Sequence, residues 1–200
     1  MQPEAPIQLP PSRLDSPVSV EHALRTRRSV RSYGNEPLTL EQTGQLLWAA
    51  QGTTSARGFR TTPSAGALYP MELYLIAGQV TGLSAGVYHY SCRDHALSQT
   101  LSGDRRGPLC QAALNQSCVR QAPAVFLLCG VYQRITRRYG ERGIRYLFME
   151  AGHAAQNLCL QAVALDLGTV VIGAFRDEEV SQALHLPDPE VPLYLIAAGK

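Results

Sequence analysis

The sequence predicts an α+β fold built on a largely antiparallel sheet, and three observations lead there. Candidate strands and helices follow one another irregularly, without the strand–helix–strand repeat of a parallel sheet. Two β-rich runs, Gly86 to Ser91 and Ala96 to Leu101, are separated only by Cys92-Arg93-Asp94-His95, the pattern of a hairpin. No G-x-G-x-x-G run follows a strand and no P-loop occurs, which sets aside a Rossmann dinucleotide site.

The elements can be justified in order. Residues 1–17 are rich in proline and polar residues and lack the apolar centre of a signal peptide, so they read as an extended arm able to wrap a partner subunit. An export signal removed from the chain is the alternative. Residues 18–200 read as one domain, because no linker separates two cores. Ser19 is placed to cap a short helix whose apolar stripe is Val20, Ala23 and Leu24. Thr39-Leu40-Glu41-Gln42 has the form of a capping box and opens a helix through Leu46, Leu47 and Trp48 to Gly52. Strands are expected at Glu72 to Ala77, at the hairpin, and at Ala124 to Cys129; a helix is expected near Leu109 to Asn115.

The longest pattern runs from Gly143 to Leu167, with Gly168 in the place of a helix C-terminal glycine. Its middle is apolar on every side, so it must be buried on every side, within one chain or against a second subunit. Thr169 to Phe175 reads as a β-branched strand running into a small-residue turn, Asp177 as the cap of a helix Glu178 to Leu184, and Val191 to Ala198 as the last strand.

Composition narrows the function. Apolar residues make up 45% and charged residues 17% of the 200 positions, the balance of a globular protein with a real core. No apolar run is long enough for a membrane span. Five cysteines without a C-x-x-C pair fit a reducing compartment, hence a cytoplasmic location, and Cys129 and Cys159 lie in apolar runs as packed hydrophobes. The histidines do not pair with cysteines at ligand spacing, so no metal site is expected. A formal charge of only +2 supports nucleic-acid binding poorly.

Against that near neutrality, Arg25, Arg27, Arg28 and Arg31 fall within seven residues. With Ser29 they offer guanidinium forks and a hydroxyl, the donors that suit phosphate. A solvated basic face, favoured by the dipole at a helix C-terminus, is the competing reading. Pro63-Ser64-Ala65-Gly66-Ala67-Leu68-Tyr69-Pro70 is either a plain turn or a loop whose small residues let backbone amides approach a flat or anionic ligand.

Taken together, Arg27 to Arg31, Pro63 to Pro70 and the block Ala151 to Phe175 resemble the nitroreductase family of FMN-dependent oxidoreductases. Gly86-Val87-Tyr88-His89-Tyr90 and Tyr139 to His153 look most like its SagB-type, azoline-dehydrogenase-like branch. The resemblance covers nearly all of the chain beyond the arm. It implies a three-layer α+β sandwich and a homodimer with FMN in each of two interface clefts, with NAD(P)H and a small molecule as substrates. It further implies that Arg27, Arg28, Ser29 and Arg31 hold the phosphate and pyrimidine edge of the flavin. Pro63, Ser64, Ala65, Gly66, Ala67 and Leu68 would come from the other subunit, and Val171, Ile172, Gly173 and Ala174 would lie beside the isoalloxazine ring.

Two departures stand out. Ala67 replaces an asparagine that many members present to the flavin, and the sequence stops at Lys200 where many extend a basic tail, leaving Lys200 for that role. Azoline-oxidising members carry Lys-Tyr where this chain has Arg138-Tyr139. Arginine does not give up its proton, so Tyr139 is the one candidate acid or base there, with packing beneath a loop as its alternative role.

Overall fold

The computed structural model describes residues 5–200. Its elements are β1 (Ile7–Gln8), α1 (Val20–Thr26), α2 (Leu40–Gln51), a 3₁₀ turn at Ala65–Ala67, β2 (Met71–Ala77), β3 (Gly86–Ser91), β4 (Ala96–Ser102), α3 (Arg106–Ala112), α4 (Ser117–Gln121), β5 (Ala124–Gly130), α5 (Tyr132–Tyr139), α6 (Arg142–Ala164), β6 (Gly168–Ile172), α7 (Asp177–Leu184) and β7 (Val191–Gly199). The strands form one seven-stranded sheet in the order β1-β4-β3-β2-β5-β7-β6, every pairing antiparallel.

Alternation along the strands sends residues to two faces, and helices cover both. Leu73, Leu75, Phe126, Leu128 and Ile196 join Leu46, Leu47, Leu147, Ala154 and Leu158 of α2 and α6 in one core. Tyr74, Ile76, Val125, Leu127 and Leu195 join Leu109, Val119, Val180 and Leu184 of α3, α4 and α7 in the other. The result is the expected α+β sandwich, helices–sheet–helices. β5 is buried along its whole length, which explains why it reads as an unbroken apolar run. All five cysteines are free, and four of them are buried.

Both expected caps form. Ser19 accepts from the His22 amide, and the Thr39 box is complete, with the Gln42 amide donating to Thr39 Oγ1 at 3.1 Å and Thr39 N donating to Gln42 Oε1 at 2.9 Å. The Cys92–His95 turn closes the hairpin with His95 in the left-handed region at φ 48°. The described part of the arm, from residue 5, packs on its own chain, residues 1–4 lying outside the described residues: Ile7 pairs with Leu97, and Leu9 is buried with its amide on the His95 carbonyl.

Four details differ from the sequence reading. The arginine run is extended, because α1 stops at Thr26 and Arg27 turns to ψ 127°. α6 ends at Ala164, and Gly168 opens β6 instead of closing the helix; a Cβ there would sit 2.7 Å from Val30 Cβ, so the glycine permits a close strand contact. Arg176 occupies the N-cap of α7 and Asp177 its first turn. Two helices were not anticipated: α4, only five residues long, and α5, a short basic segment in which Tyr132, Ile135 and Tyr139 recur at helical spacing. α6 buries Leu147, Ala151, Ala154, Ala155, Leu158, Cys159 and Ala162 within this chain and leaves Phe148 and Met149 half exposed, so it is not buried on every side. No helix among the described residues is long and apolar enough to cross a membrane.

Thr39→Ala should lower stability by about 1 kcal/mol, the usual value of an N-cap, measured by chemical denaturation at unchanged fold.

Candidate functional site

The arginine run is held by backbone rather than by charge. Val30 N donates to the Thr169 carbonyl at 2.9 Å, and Ser29 forms a parallel bridge to Thr169. Tyr33 Oη, shared between the Val30 and Ala197 carbonyls at 2.7 and 3.1 Å, ties the end of the run to β7. Burial raises the Tyr33 hydroxyl well above the usual tyrosine range, which keeps it a donor. Arg28 donates to the Arg25 and Arg27 carbonyls at 3.0 and 2.7 Å, so its guanidinium caps the end of α1. Among the described residues no carboxylate pairs with Arg25, Arg27, Arg28 or Arg31.

Arg27 and Arg28 open onto a cavity of about 630 Å³ lined also by Thr26, Asp166, Gly168, Thr169 and Lys200. Ser29 and Arg31 lie outside that lining. Lys200 reaches it already engaged: its Nζ is 2.8 Å from Glu36, which raises the ammonium pKa.

β6 is an edge strand, with β7 on one side only. Because Thr169 turns its carbonyl toward the run, alternation turns the Val171 backbone to the same open edge. Val171 and the turn residues Gly173 and Ala174 are exposed, whereas Ile172 is buried and serves the core. Gly173 borders a second cavity of about 430 Å³ with Tyr132, Phe148, Ala151, Phe175 and Tyr194. Four residues of strand, about 13 Å, separate Thr169 from Gly173. One open edge therefore runs from a cationic cavity to an aromatic one.

The Pro63–Pro70 loop forms a third patch. Gly66, Ala67 and Tyr69 all have positive φ (63°, 53° and 45°), costly for the two that carry a Cβ. Pro63, Gly66 and Ala67 are exposed, and Ser64, Ala65 and Leu68 are partly buried. Ser64 Oγ accepts from the Tyr69 amide at 2.9 Å, and the Arg60 guanidinium lies 4.4 Å over the Tyr69 ring while donating to Gln51 at 3.0 Å. A Cβ on Gly66 would meet Tyr139 Oη at 2.7 Å and Arg138 at 3.2 Å, so the glycine lets α5 close on the loop. Tyr139 also packs edge-on against Tyr146 at 5.2 Å, so its packing role is present and its hydroxyl is at the loop as well.

Glu150 is the residue the sequence reading missed. It sits on α6 with 2% exposure, and neither carboxylate oxygen has a hydrogen-bond partner of good geometry. Burial pushes its pKa up to about 7, opposed by the nearby Ser64 hydroxyl and Arg60. A lone acid inside an otherwise apolar helical run was the available signal. Among the described residues no histidine, cysteine and carboxylate cluster could hold a metal.

The Nitroreductase family profile matches residues 24–200, and the chain belongs to that family. A Methanocaldococcus jannaschii protein that bears the nitroreductase name is 44% identical over 183 residues, 92% of this chain and 91% of the relative. Two crystal structures that carry the same name superpose closely. One, from Ralstonia eutropha, has a TM-score of 0.85 at 26% identity and covers 98% of this chain and 90% of its own. The other, from Anabaena variabilis, has a TM-score of 0.81 at 32% identity over 90% of this chain; this chain spans only 38% of that one. The Microcin B17-processing protein McbC of Escherichia coli is 27% identical over 142 residues, 64% of this chain and 48% of that protein. The family assignment bears out two expectations, an oxidoreductase and FMN as its cofactor.

Glu150 has a raised pKa in the folded chain, so between about pH 4.5 and 7 the folded state binds more protons than the unfolded one, and stability falls as pH rises through that window. Glu150→Gln should abolish that slope and leave the protein more stable at pH 8 by up to about 2–3 kcal/mol, read from denaturant midpoints at several pH values.

Proposed function

We propose that this chain is an FMN-dependent oxidoreductase that passes hydride from NAD(P)H to a small organic acceptor by a ping-pong cycle, as a homodimer with FMN in two interface clefts. One observation carries the reading: uncompensated Arg27 and Arg28 beside an open strand edge that ends in an exposed glycine turn. The residues fit the cofactor. Arg27, Arg28 and Lys200 supply positive charge for a phosphate, the Val171–Gly173 edge supplies backbone donors and acceptors, and Ser29 and Arg31 extend the donor set along the run. The three patches lie on different parts of one chain, and the half-exposed Phe148 and Met149 offer an apolar surface for a second copy. In such a dimer the Pro63–Leu68 loop of one subunit would complete the cleft of the other.

FMN supplies the hydride chemistry when bound. The chain's part is to orient it, to place guanidinium charge near its pyrimidine edge, and to keep water from its face. No acid or base is needed for hydride transfer itself, so the reading does not depend on a catalytic dyad. The ring face left open would serve donor and acceptor in turn.

A second reading is oxidation of an azoline in a modified peptide. The Tyr139 hydroxyl at Gly66 favours it, as does the likeness to McbC, which is named for microcin B17 processing. Arg138 weighs against it, since a desolvated lysine there could act as a base and arginine cannot.

Purified protein should be yellow, or become so with FMN, and NADH or NADPH should bleach it with recovery on adding a quinone or nitroaromatic acceptor. Arg27→Ala should weaken FMN binding by about 1.5–3 kcal/mol, the scale of one charge-assisted hydrogen bond, measured by fluorescence titration. Wild-type protein that stays colourless with FMN, or an unchanged affinity in the variant, would sink the reading.

A further inference from the structure

Glu150 poses a question that cofactor binding does not answer. A carboxyl with 2% exposure and no well-formed hydrogen bond is costly to keep on a packed helix. An alanine or leucine at this position of α6 would pack without that cost. Its place is specific. It lies beneath the Pro63–Pro70 loop, next to Ser64, whose Oγ accepts from the Tyr69 amide and so keeps its own hydrogen free to point at the carboxyl. Ser64 belongs to the loop proposed to meet the flavin, so a path of two groups joins the buried acid to the loop surface.

We propose that Glu150 is a proton-storing group for the flavin, ionised while the cofactor over the loop is oxidised and neutral while it is reduced. The proposal rests on the FMN reading above. The balance is simple. A hydride brings one proton and two electrons to the oxidised cofactor and adds one negative charge. The Glu150 carboxylate then takes one proton from solvent and becomes a neutral carboxyl, so the net charge of the site does not change. Reoxidation removes the hydride and returns the proton to solvent. No further oxidant or reductant is involved, and Glu150 makes and breaks only its own O–H bond.

The surroundings suit that role. Arg60 from the preceding loop and Arg138 from α5 are the cations near the loop; Tyr69, Tyr139 and Tyr146 are its neutral titratable groups, and His153, one turn along α6, is exposed. Among the described residues, the groups that act on Glu150 are Ser64 and Arg60, and no second carboxylate is one of them. Burial, opposed by the Ser64 hydroxyl and Arg60, brings the carboxyl to a pKa of about 7, where a single added charge nearby is enough to change its state. Glu150 acts through Ser64 and the loop, and is therefore a positioning residue for charge rather than a group in contact with substrate.

The test is the pH dependence of the flavin midpoint potential in FMN-loaded wild type and Glu150→Gln, followed spectroelectrochemically from about pH 6 to pH 9. Above neutrality the wild-type potential should fall with pH about twice as steeply as that of the variant, because two protons rather than one accompany two electrons. Equal slopes in the two proteins overturn the proposal, since a proton taken up by the flavin itself would survive the substitution. Infrared difference spectra of the wild type alone give a second readout that does not depend on the variant folding. A protonated-carboxyl band should grow on reduction and vanish on reoxidation, and its absence overturns the proposal. Wild type that binds no FMN overturns the cofactor reading and this proposal with it, whereas bound FMN with equal slopes overturns this proposal only.

Discussion

The constraint on which the rest of the structure depends is the burial of one face of α6 against the middle of the sheet. Leu147, Ala151, Ala154, Leu158 and Ala162 recur at helical spacing and meet Phe126, Leu128 and Ile196. The alanines matter as much as the leucines, because they let the 23-residue helix lie close enough for α2 to pack beside it. Once α6 is fixed, its flanks position the chemistry. Its N-terminal half receives α5 and the Pro63–Pro70 loop, and its C-terminal end leads through Leu165 to Leu167 into the edge strand that carries the arginine run. Two parts of the candidate site thus hang from opposite ends of one buried rod, and neither can drift without unpacking the core.

The arginine run shows how position, more than charge, makes a binding site. Four guanidiniums in a nearly neutral chain would repel one another if nothing restrained them. Here the restraint is backbone: the Ser29–Thr169 bridge, the Val30 amide and the Tyr33 hydroxyl hold the segment along β6. Gly168 allows the approach, since any side chain there would collide with Val30. The absence of a paired carboxylate among the described residues then has a physical meaning. Electrostatic energy that an internal salt bridge would have satisfied is left available to an incoming anion.

Much of this was legible in the amino-acid sequence because local chemistry and tertiary structure agree. The Thr39-Gln42 box, the four-residue turn at Cys92–His95 and the apolar run of β5 each carry a short-range signal that the fold leaves intact. The misreadings share one cause, a role set by a distant neighbour. Gly168 looks like a helix stop because it follows an apolar helix, but Val30, far away in sequence, decides its use. α5 is the exception: it carries Tyr132, Ile135 and Tyr139 at helical spacing, but the segment is short and basic and that period went unread. The arginines read as the carboxyl end of a short helix, and a bridge to β6 holds those beyond Thr26 extended. Glu150 was visible as a residue but not as a site, since only the fold reveals that its oxygens face no partner.

The same contrast explains why the candidate site divides its labour as it does. Groups that hold a cofactor can be spread along an edge and a loop, because binding sums many modest contacts and tolerates a patch supplied by another copy. Groups that manage a proton must be isolated, because a carboxyl changes its state near neutrality only where water and competing acids are excluded. Arg27 and Arg28 accordingly line an open cavity, and Glu150 sits buried on the long central helix beneath a loop. An enzyme whose cofactor performs the bond chemistry needs little else from its side chains. What remains for them is to set where charge can accumulate, and the placement of one buried acid beneath an uncharged loop flanked by Arg60 and Arg138 is the way this chain does so.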